Sequence, residues 1–111
     1  MIEVSLKLRV GESEQLGPGK IRLLELLKET GSISAAGRAM GMSYRRAWLL
    51  IDDLNHMFVE PVTHARQGGC DGGGASITPF GEQLVAHYRT IESGVHNAFR
   101  EQLDAISAAM L

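Results

Sequence analysis

The chain of 111 residues predicts a mainly α-helical fold with a small β component, and three patterns carry this prediction. Residues 30–57 contain two helix-compatible segments separated by a glycine, the outline of a helix-turn-helix. Residues 62–78 contain two β-compatible segments around a glycine-rich loop, which predicts a hairpin. Residues 79–111 repeat apolar side chains at helical spacing. Together these patterns predict a winged helix-turn-helix domain over residues 1–78, with a strand at its N-terminus, and a long C-terminal dimerisation helix over residues 79–111.

The N-terminal part of the chain holds one predicted strand and one predicted helix. Apolar and polar side chains alternate strictly from Ile2 to Val10, and this period of two is typical of a half-buried strand. Isoleucine and leucine then recur at helical spacing after Pro18, a residue that helices accept at their first position. Gly31 follows the last residue of the pattern. We expect the first helix to run from about Pro18 to Glu29.

Three small residues define the expected helix-turn-helix. Ser32 is placed to cap the second helix, because its hydroxyl can accept a hydrogen bond from a free backbone N–H. Gly41 is placed to end that helix in a turn that needs a positive φ, which glycine adopts without a steric clash. Ser43 is placed to cap the third helix, which we call the reader helix. The apolar side chains at core spacing in the reader helix are Ala47, Leu50, Ile51, Leu54 and Phe58.

The C-terminal segment predicts one long helix that self-associates. Thr78 is a suitable N-cap, and Pro79 suits the first helical position. A helix of this length would extend on the order of 45 Å, which a small globular domain cannot cover unaided. Such an apolar seam usually packs against another helix, and a second copy of the chain is the expected partner. The seam consists of Leu84, Tyr88, Ile91, Val95, Phe99, Leu103, Ile106 and Met110.

Composition and charge exclude several classes of protein. The net charge of −2 argues against a polybasic protein that binds nucleic acid through bulk charge. Between Lys20 and Arg66, seven basic side chains stand against five acidic ones, so positive charge is concentrated around the reader helix. The single Cys70 cannot form an intrachain disulfide, and no apolar run approaches the roughly 20 residues of a transmembrane helix. The N-terminus lacks a signal-peptide pattern, so we expect a cytoplasmic protein.

The candidate functional residues are those that a helix-turn-helix would bring to double-stranded DNA. Arg45 and Arg46 open the reader helix, where arginine reaches guanine edges or flanking phosphates. Tyr44 suits either a phosphate contact or packing beneath the hairpin, and the sequence favours neither. Trp48 is expected to be a packing residue rather than a base contact, since large aromatic side chains mostly supply buried area. The predicted DNA-binding set is Ser32, Ser34, Ser43, Tyr44, Arg45, Arg46 and Arg66.

No catalytic or metal-binding pattern accompanies these residues. The glycines around Cys70 lack the Gly-Lys-Ser/Thr of a phosphate-binding loop, and a flexible hairpin tip explains them better. One cysteine and four scattered histidines lack metal-ligand spacing. Asp52 and Asp53 are adjacent and therefore point to different sides of the helix, which rules out a paired acid and base. We expect no enzyme activity, no cofactor and no metal.

Two segments together carry a resemblance to a known family. Residues GSISAAGRAMGMSYRRAW and GGCDGGGASITPFGEQLVAHY closely resemble the DNA-binding domain of the molybdate-responsive ModE regulators and, more distantly, LysR-type winged helices. The resemblance covers roughly Pro18 to Tyr88. It implies a winged helix, dimerisation through flanking elements, and binding to palindromic operators, commonly in genes for molybdate uptake or molybdoenzymes. Full-length members sense molybdate in β-barrel domains that have no counterpart here, so we expect no small-molecule ligand within this chain.

Two functions remain open at this point. The first is a homodimeric regulator that reads DNA with the arginines of the reader helix. The alternative is a protein-docking module that assembles with itself or with a sensor-bearing partner and does not read DNA, since winged helices serve both purposes. Loss of activity on removal of Arg45 and Arg46 would separate the first from the second.

Overall fold

The computed structural model describes residues 2–66 and 74–111 and has the expected mainly α-helical fold with a small β component. The helices are α1 (Pro18–Thr30), α2 (Ile33–Ala39), α3 (Tyr44–Met57), α4 (Pro79–Ala98) and α5 (Arg100–Ala108). The strands are β1 (Leu8–Val10), β2 (Glu14–Leu16), β3 (Thr63–Arg66) and β4 (Gly74–Ile77). Two antiparallel pairs form, β1 with β2 and β3 with β4, and the second pair is the predicted hairpin, here called the wing.

The N-terminal strand is shorter than its sequence pattern indicates. Burial alternates from Ile2 to Val10 as expected, but only Leu8–Val10 pairs, with the unpredicted strand β2. The reason is the length of the partner: β2 ends at Leu16 because α1 begins at Pro18, which leaves three residues to pair. The prediction of a strand over residues 2–10 is therefore wrong in extent, although its buried face is correct.

The core lies on both sides of α1. One cluster joins α1 to α2 and α3 through buried Leu23, Leu27, Ala36, Ala47 and Ile51, among others. A second cluster joins α1 to β2, α3, the wing and α4, and its buried members are Leu16, Ile21, Leu24, Leu54, Val62 and Tyr88. Because α1 contributes leucines to both clusters, it fixes α3 and α4 relative to one another.

The predicted helix caps are confirmed. The hydroxyl of Ser32 accepts a hydrogen bond from the Ala35 N–H at 3.1 Å, and that of Ser43 accepts one from the Arg46 N–H at 3.1 Å. Gly41 has a φ of 70°, the left-handed conformation expected in the turn between α2 and α3. Each N-cap satisfies one backbone donor that the first turn would otherwise leave free, so the start of the reader helix is fixed by local sequence.

The continuous helix expected over residues 79–111 is interrupted, so that prediction is wrong. The backbone of Phe99 leaves helical geometry, with φ −118° and ψ 25°, between α4 and α5. Ser93, Gly94, His96 and Asn97 precede it, all weak helix formers, and their side chains are exposed. Neither helix propensity nor packing therefore keeps this segment in one continuous helix. No helix in residues 2–66 or 74–111 has both the length and the apolar character needed to span a bilayer.

A bidentate ion pair holds α4 against α1. The Nε of Arg89 donates to Oε2 of Glu25 at 3.1 Å, and Nη2 donates to Oε1 at 2.8 Å. The third nitrogen, Nη1, donates to Glu92 at 2.8 Å. The hydrogen bonds from Arg89 hold the pKa of Glu25 below its ordinary value of 4.5, against the opposing effect of partial burial. The same contacts raise the pKa of Arg89.

This ion pair predicts an acid-dependent loss of stability. Because folding lowers the pKa of Glu25, the pair contributes its full stabilisation above pH 4.5 and loses it as the pH falls through the folded-state pKa. Glu25→Gln should lower the free energy of unfolding at neutral pH and flatten its decline toward about pH 3. Urea denaturation at several pH values measures both effects. Glu101→Gln, which removes an exposed carboxylate on α5, is the control and should keep the wild-type pH profile.

Candidate nucleic-acid interface

The first two turns of α3 expose a continuous set of side chains on the side away from the core. Ala47, Ile51 and Leu54 point inward and are buried. Tyr44 is 57% exposed, while Trp48 and Leu49 are each 45% exposed. We call the outward set the reader face, and it consists of Tyr44, Arg45, Arg46, Trp48 and Leu49.

Among the described residues, the guanidinium groups of both arginines of the reader face are without a partner. Neither Arg45 nor Arg46 forms an ion pair or a side-chain hydrogen bond with any residue in 2–66 or 74–111. Arg22 and Arg89 differ, because both contact the carboxylate of Glu25, at 3.6 Å and 2.8 Å. The two cations at the start of α3 are thus available to a phosphate or to a guanine edge.

The positive character of the reader face ends after two turns. Asp52 and the exposed Asp53 occupy the next turn of α3. His56 lies with its Nδ1 2.7 Å from the Asp52 carbonyl oxygen and 3.6 Å from the Asp52 carboxylate. The hydrogen bond to that carbonyl, followed by the charge of the carboxylate, raises the pKa of His56. Because carboxylates repel a phosphate backbone, the N-terminal half of α3 is the part suited to DNA.

The three predicted serines lie at or next to the N-termini of α2 and α3. Ser32 and Ser43 are the N-caps of α2 and α3, so their oxygens already accept backbone hydrogen bonds. Their hydroxyl protons remain available to an acceptor such as a phosphate oxygen. Ser34 is exposed in the first turn of α2. The capping role of Ser32 and Ser43 therefore does not preclude a DNA contact, and Ser43 directly precedes Tyr44.

The wing is anchored directly to the reader helix by Asn55. Its Oδ1 accepts hydrogen bonds from the backbone N–H groups of Val62 and Thr63, at 2.8 Å and 3.2 Å, and its Nδ2 donates to the Thr63 hydroxyl at 2.9 Å. On the other strand, the Ala75 N–H donates to the Gly31 carbonyl at 3.0 Å. Sequence reasoning missed Asn55, because an asparagine inside a helix gives no sign of the strand it will bind.

Two predictions about the wing concern parts of it that lie outside the described residues. Arg66 is the last residue of β3, but its side chain lies outside the described residues. The glycine-rich tip over residues 67–73, with Cys70, also lies outside them. The two strands that flank this tip pair as expected, from Thr63 with Ile77 to Arg66 with Gly74.

Trp48 is not the buried packing residue that the sequence suggested. Its side chain is 45% exposed, whereas Ala47 beside it is fully buried. The core spacing explains this difference: Ala47, Ile51 and Leu54 complete the inward stripe, and Trp48 lies one position beyond it. The exposed aromatic therefore belongs to the surface that carries the two arginines.

A close crossing of α2 and α3 sets the position of the reader helix. A Cβ added at Gly37 would lie 2.9 Å from the Cβ of Ala47 and 3.5 Å from the carbonyl oxygens of Met42 and Ser43. The side-chain hydrogen of glycine at one position and the methyl of alanine at the other are what allow the two helices to approach this closely. Any larger pair would push the reader helix away from α2.

Gly37→Ala should therefore destabilise the domain and displace α3. We expect a loss of roughly 1–2 kcal/mol, since the overpacking cost of about 1–3 kcal/mol exceeds the gain of up to about 1 kcal/mol in helix propensity. The matched control is Gly94→Ala in α4, where the added Cβ meets nothing within 4 Å and the same propensity gain should stabilise the fold. Thermal unfolding of both variants tests this, and equal shifts of Tm in the same direction would contradict it.

Metal chemistry has no visible basis in the described parts of the chain. No group of three or more histidine, cysteine, aspartate or glutamate side chains in them is placed to hold a metal ion. The described residues also contain no buried side-chain nitrogen or oxygen atom without a hydrogen-bond partner. The reader face is therefore the feature that carries a binding hypothesis.

Comparison with known proteins finds relatives that are named for molybdenum-pterin binding, molybdenum transport and transcriptional regulation. No protein-family model matches the chain. It is 41% identical over 100 residues to the molybdenum-pterin-binding protein MopB of Rhodobacter capsulatus and 38% identical over 92 residues to the molybdenum transport protein ModE of Azotobacter vinelandii. It is also 33% identical over 114 aligned positions to the transcriptional regulator ModE of Yersinia pestis. The chain is a homologue of the ModE and Mop proteins.

The matches cover most of the chain but a minor part of each relative. They include 87%, 83% and 97% of this chain, and 37%, 33% and 43% of MopB and the two ModE proteins respectively. The names of these relatives describe regulators and molybdenum-binding or transport proteins rather than enzymes. The similarity supports the resemblance to the ModE family found in the sequence.

Proposed function

We propose that the chain is a cytoplasmic, homodimeric, sequence-specific DNA-binding regulator of the ModE type. The observation that carries the proposal is the reader face, where Arg45 and Arg46 at the start of α3 are exposed and have no partner among the described residues. The ModE relatives that are named as transcriptional regulators support it. The resemblance found in the sequence implies genes of molybdate transport or of molybdoenzymes as targets. Binding of inverted-repeat operators is the mode that a dimer would use.

The geometry of α3 suits insertion into the major groove. Its first two turns carry the arginines, and Arg45 can offer two parallel N–H donors to the O6 and N7 atoms of a guanine. The hydroxyl of the exposed Tyr44 can donate to a flanking phosphate. Because Asn55 ties β3 to α3, the wing takes a fixed position relative to the groove, and this would bring Arg66 toward the adjacent backbone.

The apolar side chains of the C-terminal segment support the proposed dimerisation. Ile91, Phe99, Ile106 and Met110 are exposed, at 45%, 54%, 57% and 56%, and α5 buries none of its residues within one chain. Pairing of α4 and α5 with a second copy would cover them. A two-fold axis through that contact would set the two reader helices about 34 Å apart, or a multiple of that distance, on one side of the duplex.

The test is selection of bound sequences from a random duplex library by the purified protein at near-physiological salt. We expect an inverted repeat to be enriched by the wild type and not by the Arg45→Ala, Arg46→Ala double variant, with the dimer intact in both. Lys7→Ala with Arg9→Ala is the matched control, since it removes the same charge from exposed positions of the N-terminal segment. It should enrich the wild-type repeat.

A docking module without DNA recognition is the alternative, and the exposed apolar side chains of α5 favour it. It predicts an intact dimer that enriches no sequence. It also predicts that the double arginine variant keeps its association with protein partners. Selection and sedimentation of the same preparations therefore separate the two functions.

A further inference from the structure

The reader face contains more apolar surface than phosphate binding requires. Trp48 and Leu49 are each 45% exposed and adjacent in the second turn of α3. Arginines and hydroxyls suffice to hold a phosphate backbone, and an exposed tryptophan beside a leucine adds nothing to that electrostatic contact. Clustered exposed apolar side chains more commonly mark a surface that meets an apolar partner.

Helical spacing ties both side chains to Arg45. Trp48 lies three positions and Leu49 four positions after Arg45, and residues at these spacings are neighbours on a helix surface. Any groove that admits the guanidinium of Arg45 therefore also meets the indole and the isobutyl group. Asp52 and Asp53 in the following turn limit the contact to this region.

The major groove of DNA offers one apolar group, the 5-methyl of thymine. We infer that Trp48, with Leu49 beside it, packs on a thymine methyl in each half-site and so determines specificity for a thymine next to the base pair read by Arg45. The inference rests on the proposed function, because it needs α3 in the major groove. It adds a base preference that Arg45 cannot supply, since a bidentate arginine contact selects guanine.

The test replaces single thymines of the selected operator by deoxyuridine, which removes the methyl group and keeps the hydrogen-bonding edge. At one or two positions in each half-site the wild type should lose about fourfold in affinity, the amount expected for one buried methyl group. Trp48→Ala should bind the thymine and uracil operators equally at those positions. Its affinity should retain the wild-type salt dependence, because no phosphate contact is lost.

Controls separate this role from a structural one. Val59→Ala shortens an exposed apolar side chain outside α3 and should keep the full preference for thymine. Leu49→Ala should weaken the preference without changing the melting temperature, so the inference remains testable if Trp48→Ala is poorly folded.

Three results would overturn the inference. The first is a wild type that binds the thymine and uracil operators with equal affinity at every position. The second is a Trp48→Ala protein that keeps the preference for thymine. The third is a Trp48→Ala protein whose affinities for both operators fall by the same factor, together with a smaller salt slope. In each of these cases operator binding through the arginines would remain supported, and only the methyl contact would be rejected. If the wild type selects no operator at all, the proposed function fails first and the thymine contact fails with it.

Discussion

Gly81→Ala is expected to cost about 3 kcal/mol or more in the free energy of unfolding, at the upper end of overpacking penalties. A Cβ at Gly81 would overlap the carbonyl oxygen of Val62 and lie 2.7 Å from Cγ1 of Ile77. The Val62 carbonyl cannot move aside freely, because it accepts a hydrogen bond from the Thr78 N–H at 2.9 Å. The neighbouring Thr78 hydroxyl donates to the Pro61 carbonyl at 2.8 Å, which further fixes this segment. The strain therefore falls on the backbone between α3 and β3, where Val62 meets the first turn of α4.

Urea denaturation compares this variant with Gly19→Ala. Gly19 also lies in the first turn of its helix, α1, but an added Cβ there meets nothing within 4 Å. Alanine at Gly19 should therefore be neutral or stabilising by up to about 1 kcal/mol. If the two substitutions shifted the denaturation midpoint equally, the close approach of α4 to Val62 would not be limiting, and the account of this joint would be wrong.

The order of the first four α-helices and the N-caps of α2, α3 and α4 were predictable because they depend on local sequence. Ser32, Ser43 and Thr78 each accept the N-cap hydrogen bond that their position indicated. Gly31 and Gly41 take positive φ where the first two helices end. These features involve residues a few positions apart, so a single sequence contains the information needed to place them.

Features that depend on distant partners were not predictable in the same way. The length of β1 is limited by β2, whose polar residues Glu14 and Gln15 gave no strand signal. Asn55 finds its partners seven and eight positions along the chain, in the wing. The exposure of Trp48 depends on which side of α3 meets α1 and α2, and propensity for burial alone pointed the wrong way.

For the proposed DNA binding, the positions of the two arginines on α3 predict different roles. Arg45 lies nine residues before the buried Leu54, about two and a half turns, and therefore points away from the core. Arg46 lies eight residues before Leu54, about two and a quarter turns, which places it on the flank of the helix. In a groove, the outward position reaches the base edges and the flank reaches the phosphates at the rim.

The double variant Arg45→Ala, Arg46→Ala should consequently lose roughly 30-fold to 20,000-fold in operator affinity, from about 1–3 kcal/mol at each position. The two single variants should affect DNA binding in different ways. Arg45→Ala should relax the preference for guanine at one base pair of each half-site and lower affinity for other sequences little. Arg46→Ala should lower the affinity for all DNA sequences alike and reduce the salt slope by about one.

Fluorescence anisotropy over a range of salt concentrations, with the selected operator and a scrambled duplex, measures these quantities for each variant. The Lys7→Ala, Arg9→Ala protein again supplies the charge-matched comparison and should bind the operator within a small factor of the wild type. If both single variants changed the salt slope equally and neither changed the base preference, Arg45 would be a second phosphate contact. Specificity would then have to come from the remaining reader face and from the shape of the duplex, because no other cation of the face would be left to read guanine.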